Sequence, residues 1–100
     1  FIVASLDNRN KLINIDIVSI GTLNSSLIHP RETFEVAIKN HAAGIIICHN
    51  HPSGELKPSK DDLTVTRTLV EAGKLLGIEV ADHLIICKDG YFSFKEKKII

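Results

Sequence analysis

The chain has no tryptophan, no methionine, only two cysteines and three prolines, and no net charge: twelve basic residues balance twelve acidic ones in 100 residues. Each shortage removes a class of explanation. Without a basic excess, nucleic-acid binding by bulk electrostatics is disfavoured, because such domains carry a positive stripe or patch. Cys48 and Cys87 sit inside apolar runs and not in a Cys-x-x-Cys spacing, so no thiolate metal site or redox motif is visible. They read as reduced, buried thiols of a cytoplasmic protein. No apolar run approaches the roughly 18–20 residues of a membrane span, and no signal-peptide pattern is present.

What is there suits a single domain with one small core. The hydrophobic share of 44% is ordinary for a globular chain. Phe1, Ile2 and Val3 look like the inside of a strand, and the start lacks methionine. The expectation is one domain over 1–100, the C-terminal part of a longer protein.

Hydrophobic periodicity orders the elements as ββαβαββ. A short apolar strand over 1–6 turns at Asp7-Asn8-Arg9-Asn10 into an alternating strand. In that second strand Ile13, Ile15 and Ile17 form the half-buried face. A loop over 21–26 leads to His29 and Pro30 at a helix start, with Phe34, Ala37, Ile38 and His41 on one helical face. His41 ends that helix, where the dipole favours a cation.

The run Gly44-Ile45-Ile46-Ile47-Cys48 is too short for a helix and reads as a central strand buried on both faces. Its end delivers His49, and sites in open α/β sheets gather beyond the carboxyl ends of strands. After a loop over 50–58, the longest helix runs over 59–76. Its stripe is Leu63, Thr66, Leu69, Val70, Gly73 and Leu76, and Gly77 stops it. A strand over 79–87, an Asp-Gly hairpin turn at Lys88-Asp89-Gly90 and a returning strand over 91–94 complete an α/β domain, a mixed sheet with packed helices.

The chemistry gathers between Cys48 and Asp62. His49 and His51 are one residue apart, so on an extended backbone both imidazoles turn to one side. Histidine is the commonest metal ligand, and two of them with a carboxylate and water make a known catalytic zinc arrangement. Taken alone, the pair also fits surface histidines beside a turn. Ser59-x-x-Asp62 has the spacing of a helix capping box, which any helix can use. The two readings are compatible, since a helix start holds its first-turn side chains rigidly.

Joined at this spacing, His49-x-His51, seven residues, Ser59, two residues and Asp62 resemble the signature of the JAMM (MPN+) metalloprotease superfamily. The fuller context, His49-Asn50-His51-Pro52-Ser53-Gly54 followed by Pro58-Ser59-x-x-Asp62, looks like its RadC-type branch. The stretch Gly21-Thr22-Leu23-Asn24-Ser25-Ser26, the run His29-Pro30-Arg31-Glu32 and the pair Asp82-His83 are similar to that branch too. The resemblance implies a three-layer fold like that of cytidine deaminases. It also implies a zinc ion on His49, His51 and Asp62, and Ser59 as the catalytic helper that steadies an oxyanion.

The resemblance further implies hydrolysis of a peptide or isopeptide substrate, with a glutamate as general base placed just ahead of the first strand. Glu32, Glu35 and Glu55 stand at other positions, and Glu55 is the one acidic residue of the site loop. A chain lacking the base binds metal but is crippled as a catalyst.

RadC-type proteins carry a DNA-repair name, so a second reading is an accessory domain of a repair protein. Any DNA contact then belongs to a preceding region. A third keeps the metal but cleaves phosphodiesters. The letters His49-Asn50-His51 match HNH nucleases only by accident, because those enzymes spread the three residues over a ββα unit. No His-x-Glu with Pro-Cys-x-x-Cys is present, which disfavours base deamination. His29 reads as a helix-start residue. His83, beside Asp82 in a strand, reads as a satisfied core histidine, with support of the site as the alternative.

Overall fold

The computed structural model describes residues 1–19, 28–51 and 53–100. The loop expected over 21–26 and Pro52 lie outside them. Five strands and two helices follow one another as β1 (Ile2–Leu6), β2 (Leu12–Ile17), α1 (Pro30–Lys39), β3 (Gly44–Asn50), α2 (Lys60–Leu76), β4 (Glu79–Cys87) and β5 (Gly90–Ser93). This is the expected α/β class and element order.

The strands form one mixed sheet in the order β2-β1-β3-β4-β5, with β3 at its centre as anticipated. Only β3 and β4 run parallel, and α2 is the crossover between them. A parallel pair needs such a crossover, so the β3–α2–β4 unit sets the end of β3 against the start of α2.

One face of the sheet is sealed. Val3, Ile45, Ile47 and Val80 form a single buried cluster with Phe34 and Ala37 of α1 and Val65 and Leu69 of α2. Both described helices therefore lie on this face. At their crossing Gly73 of α2 sits so close to Ile78 that an added Cβ would collide with the Ile78 carbonyl and touch the Phe34 ring. Gly77 ends α2 in the left-handed region, φ 72°, which suits a residue without Cβ.

The opposite face is apolar but only partly covered. Register places Ile15 and Ile17 of β2 beside Ala4 and Ile2, then Ile46, Cys48, Leu84, Ile86 and Tyr91 across the sheet. Ile15 and Ile17 are 55% and 68% exposed, so the isoleucine face expected to be half-buried is open. Alternation reports which residues share a face but not whether anything lies over it. The Asn14/Asp16 side is the one turned toward the helices: the Asn40 side-chain amide, at the end of α1, donates to Asp16 Oδ2 at 2.9 Å. A further layer over the open face is not among the described residues.

Several finer expectations change. In α1 the buried residues are Thr33, Phe34 and Ala37, while Ile38 is exposed. His41 lies beyond the C-cap Asn40 with φ 55°, outside the helix face assigned to it. In α2 Val65 is buried, while Leu76 is exposed and lines an open groove with Ile38 of α1. The hairpin loop is Lys88-Asp89, with Gly90 already paired to Cys87. Cys48 and Cys87 are free, as expected, but half-buried: Cys48 lies on the open face, and Cys87 is the last residue of β4.

An alanine at an exposed helical glycine gains about 1 kcal/mol. Gly73→Ala should instead lower stability by about 1–3 kcal/mol, because the Ile78 backbone just past the end of α2 must move away. A urea midpoint equal to or above that of the parent protein would contradict the close approach.

Candidate metal centre

Two elements build the centre. β3 extends two residues beyond the expected run and carries His49 on the sealed face, in line with Ile45 and Ile47. His51 follows just past the strand end, where its N–H continues the ladder by donating to the Ile86 carbonyl at 3.1 Å. Asp62 occupies the third position of α2 and is 1% exposed. Ser59 is the N-cap, and the capping box forms in full. The Asp62 N–H donates to Ser59 Oγ at 3.1 Å, and the Ser59 N–H donates to Asp62 Oδ2 at 2.7 Å.

Three donors converge. His49 Nε2 lies 3.0 Å from Asp62 Oδ1, His51 Nε2 lies 3.1 Å from Asp62 Oδ2, and the two Nε2 atoms are 3.1 Å apart. Ligand atoms held tetrahedrally at about 2.0–2.1 Å from zinc are roughly 3.3 Å from one another. The cluster therefore has nearly the spacing of a zinc ligand set, and three protein ligands leave one coordination position for water or substrate.

The outer nitrogen of each imidazole is engaged. His51 Nδ1 meets the Glu55 carbonyl at 2.7 Å, and since a carbonyl only accepts, that nitrogen carries the proton and Nε2 keeps its lone pair. His49 Nδ1 lies 2.9 Å from Nε2 of His83. His83 is fully buried and stacked on Phe94, with ring centroids 4.4 Å apart. The core-histidine reading holds for its burial, and the contact with His49 adds a link to the centre.

Asp82, its sequence neighbour, works elsewhere. Its carboxylate accepts from the Ser93 hydroxyl and from the Lys95 and His83 N–H groups, tying down the chain after β5. Glu55 contributes its backbone rather than its carboxylate. Among the described residues, none of the Glu32, Glu35 and Glu55 side chains is bonded to the three donors. His29 is the N-cap of α1 and exposed, consistent with a helix-start role.

Sequence reasoning missed the Glu55 carbonyl, Thr66 as a polar partner, and Phe94. Thr66, four residues after Asp62, had a signal: it lies one turn above the ligand on the same helical face. The Glu55 carbonyl had none, since a backbone acceptor leaves no trace in residue type.

Electrostatics favours the metal-binding forms. Burial, reinforced by the neighbouring His49 imidazole, with which it competes for a proton, depresses the pKa of His83 from 6.5 to about 3. Burial also lowers that of His49, outweighing the Asp62 carboxylate beside it. For Asp62 burial pushes the other way, but the Ser59 N–H bond and the two imidazoles prevail and hold it below the usual carboxylate value. Neutral imidazoles and an ionised carboxylate are what a cation requires.

All three groups bind fewer protons folded than unfolded, so stability rises with pH where they titrate. The metal-free protein should lose stability as the pH falls below 6.5, with His83 contributing down to about 3. Urea midpoints followed from neutral pH into acid should drop continuously. A flat or rising series would contradict the assigned protonation states.

Comparison with known proteins matches this architecture. A family model described as the RadC-like JAB domain matches residues 1–99. A UPF0758 protein of Alkaliphilus metalliredigens is 53% identical over 100 residues, covering all of this chain and 43% of the relative. A UPF0758 protein of Moorella thermoacetica is 54% identical over 100 residues and covered to 44%, and one of Methanosarcina barkeri is 47% identical with the same coverage. The chain thus spans less than half the length of these curated relatives. With its sheet, its crossover helix and its His-His-Asp cluster in place, the chain belongs to the RadC-like JAB domain family.

Proposed function

We propose that the domain is a zinc-dependent hydrolase centre of the JAMM type, acting on an amide or isopeptide bond. The observation that carries this reading is the convergence of His49 Nε2, His51 Nε2 and the Asp62 carboxylate at the carboxyl end of the central strand. These three residues would hold the ion. Bound zinc supplies a Lewis acid and brings the pKa of water down toward about 7.

The chain's own groups take the remaining roles. His51 presents a lone pair because its Nδ1 proton is committed to the Glu55 carbonyl. Asp62 supplies one negative charge, leaving the centre net positive and suited to a developing oxyanion. Ser59 Oγ serves its helix as an acceptor, so its hydroxyl proton remains to be donated. It sits at the positive end of the α2 dipole, where an oxyanion is favoured.

The general base in this reading is a glutamate that the family resemblance places just ahead of the first strand. Peptide or isopeptide specificity rests on that resemblance. The balanced charge supports the reading that this domain does not itself bind DNA by bulk electrostatics.

The domain should take up one zinc ion per chain, and His49→Ala and Asp62→Ala should each abolish uptake. In the full-length protein, cleavage of a peptide or isopeptide should stop on chelation. Ser59→Ala should cut kcat by about 10²-fold with zinc content unchanged, and its loss of the cap should cost about 0.5–2 kcal/mol of stability. Absence of zinc both as purified and after titration would overturn the proposal. Chelator-sensitive cleavage of nicked DNA alone would replace the amide substrate with a phosphodiester.

A further inference from the structure

From the sealed side of the centre a chain of polar contacts runs into the core, and nothing in the metal-site reading uses it. Thr66 Oγ1 donates to the Asp62 carbonyl at 2.7 Å, one turn back along α2. The same oxygen is within hydrogen-bond reach of His83 Nδ1. On the other side of the ring, His83 Nε2 lies 2.9 Å from His49 Nδ1. His83 is completely buried, Thr66 is 3% exposed and His49 is 6% exposed, so water does not compete for these groups.

Counting protons gives the chain a direction. A hydroxyl has one proton, and that of Thr66 is committed to the Asp62 carbonyl. Toward His83 the Thr66 oxygen can therefore only accept, so the proton lies on His83 Nδ1. His83 Nε2 is then the acceptor in the neutral ring, and the proton between the two imidazoles belongs to His49 Nδ1. That leaves His49 Nε2 with a bare lone pair, the atom facing His51 Nε2 and Asp62.

We infer that His83 and Thr66 are positioning residues: they fix the tautomer and ring orientation of His49 so that Nε2 is permanently presented to the metal. Phe94 stacks flat on His83 with an interplanar angle of 12°, which holds the relaying ring in plane. The two metal-binding histidines are thus set by different means, His51 by the Glu55 backbone carbonyl and His49 by a side-chain relay anchored on the helix that carries Asp62. The inference rests on the proposed metal site, since a cation is what lets two bare Nε2 atoms lie 3.1 Å apart beside the Asp62 carboxylate. The His83 tautomer is set by Thr66 with or without metal.

The test uses two readouts on the same protein. Long-range ¹H–¹⁵N correlation spectra of the imidazoles at neutral pH should show His83 protonated at Nδ1 and bare at Nε2 in the chelator-treated protein, and His49 with its proton on Nδ1 once zinc is bound. Zinc affinity, measured by competition with a chromophoric chelator, should fall about 10–100-fold in His83→Phe, which keeps the stacking surface and removes the acceptor. Thr66→Val, nearly the same shape, should weaken zinc binding in the same direction and release His83 from the Nδ1-protonated form. Thr66→Ser should restore both.

If His83→Phe does not fold, Thr66→Val against Thr66→Ser decides the matter alone. His83 protonated at Nε2 in the parent protein would overturn the inference. So would unchanged zinc affinity in the folded variants of a protein whose uptake depends on His49. Failure of the parent to bind zinc would sink the metal reading, while the tautomer spectra would still settle the relay.

Discussion

The Asp62 carboxylate is the group on which the rest of the centre depends. It is almost wholly buried, and a buried carboxylate is tolerable only when its oxygens are occupied. Here one oxygen accepts the Ser59 N–H and both face imidazole nitrogens. The same capping box therefore starts the helix and orients the ligand. Removing the carboxylate would leave two imidazoles crowded at 3.1 Å with nothing to bind between them. The parallel β3–β4 pair makes this possible: its crossover helix must begin beside the end of β3, which brings residue 62 to residues 49 and 51.

Much of this was legible because the signals were local. The β-branched run ending in His49, the Ser-x-x-Asp spacing before an apolar stripe and the αL glycine at position 77 each act within a few residues. They located β3 and α2 and put His49, His51 and Asp62 forward as candidates, and the family resemblance joined the three as one ligand set. What escaped depends on distant partners. The register that sets His83 against Ile47 across a parallel ladder, with a bulge beside Ile45, cannot be counted from residue types. Nor can the burial of an alternating strand: Ile13, Ile15 and Ile17 alternate as a half-buried strand does, yet that face stands open among the described residues. Ile38 and Leu76 were misplaced because helical period identifies a stripe but not that part of it faces an open groove between the helices. His41 was misplaced because α1 ends one residue before it, at the Asn40 cap.

The two faces of the sheet divide the labour of the molecule. The sealed face holds the core, the centre and its relay, and Phe94 joins core to relay by stacking on His83. Four polar residues buried there, His49, Asp62, Thr66 and His83, are bonded to one another. Such a network is costly if broken and rigid if complete, which is the property a ligand set needs. Balanced surface charge fits this picture of a domain organised around an internal site rather than an electrostatic surface.

X-ray absorption of the zinc-loaded domain tests the central claim most directly. The account predicts a first shell of nitrogen and oxygen only, at about 2.0–2.1 Å, with the outer-ring scattering of two imidazoles. A sulfur shell near about 2.3 Å, which would put Cys48 or Cys87 on the metal, or a shell without imidazole scattering, would contradict it.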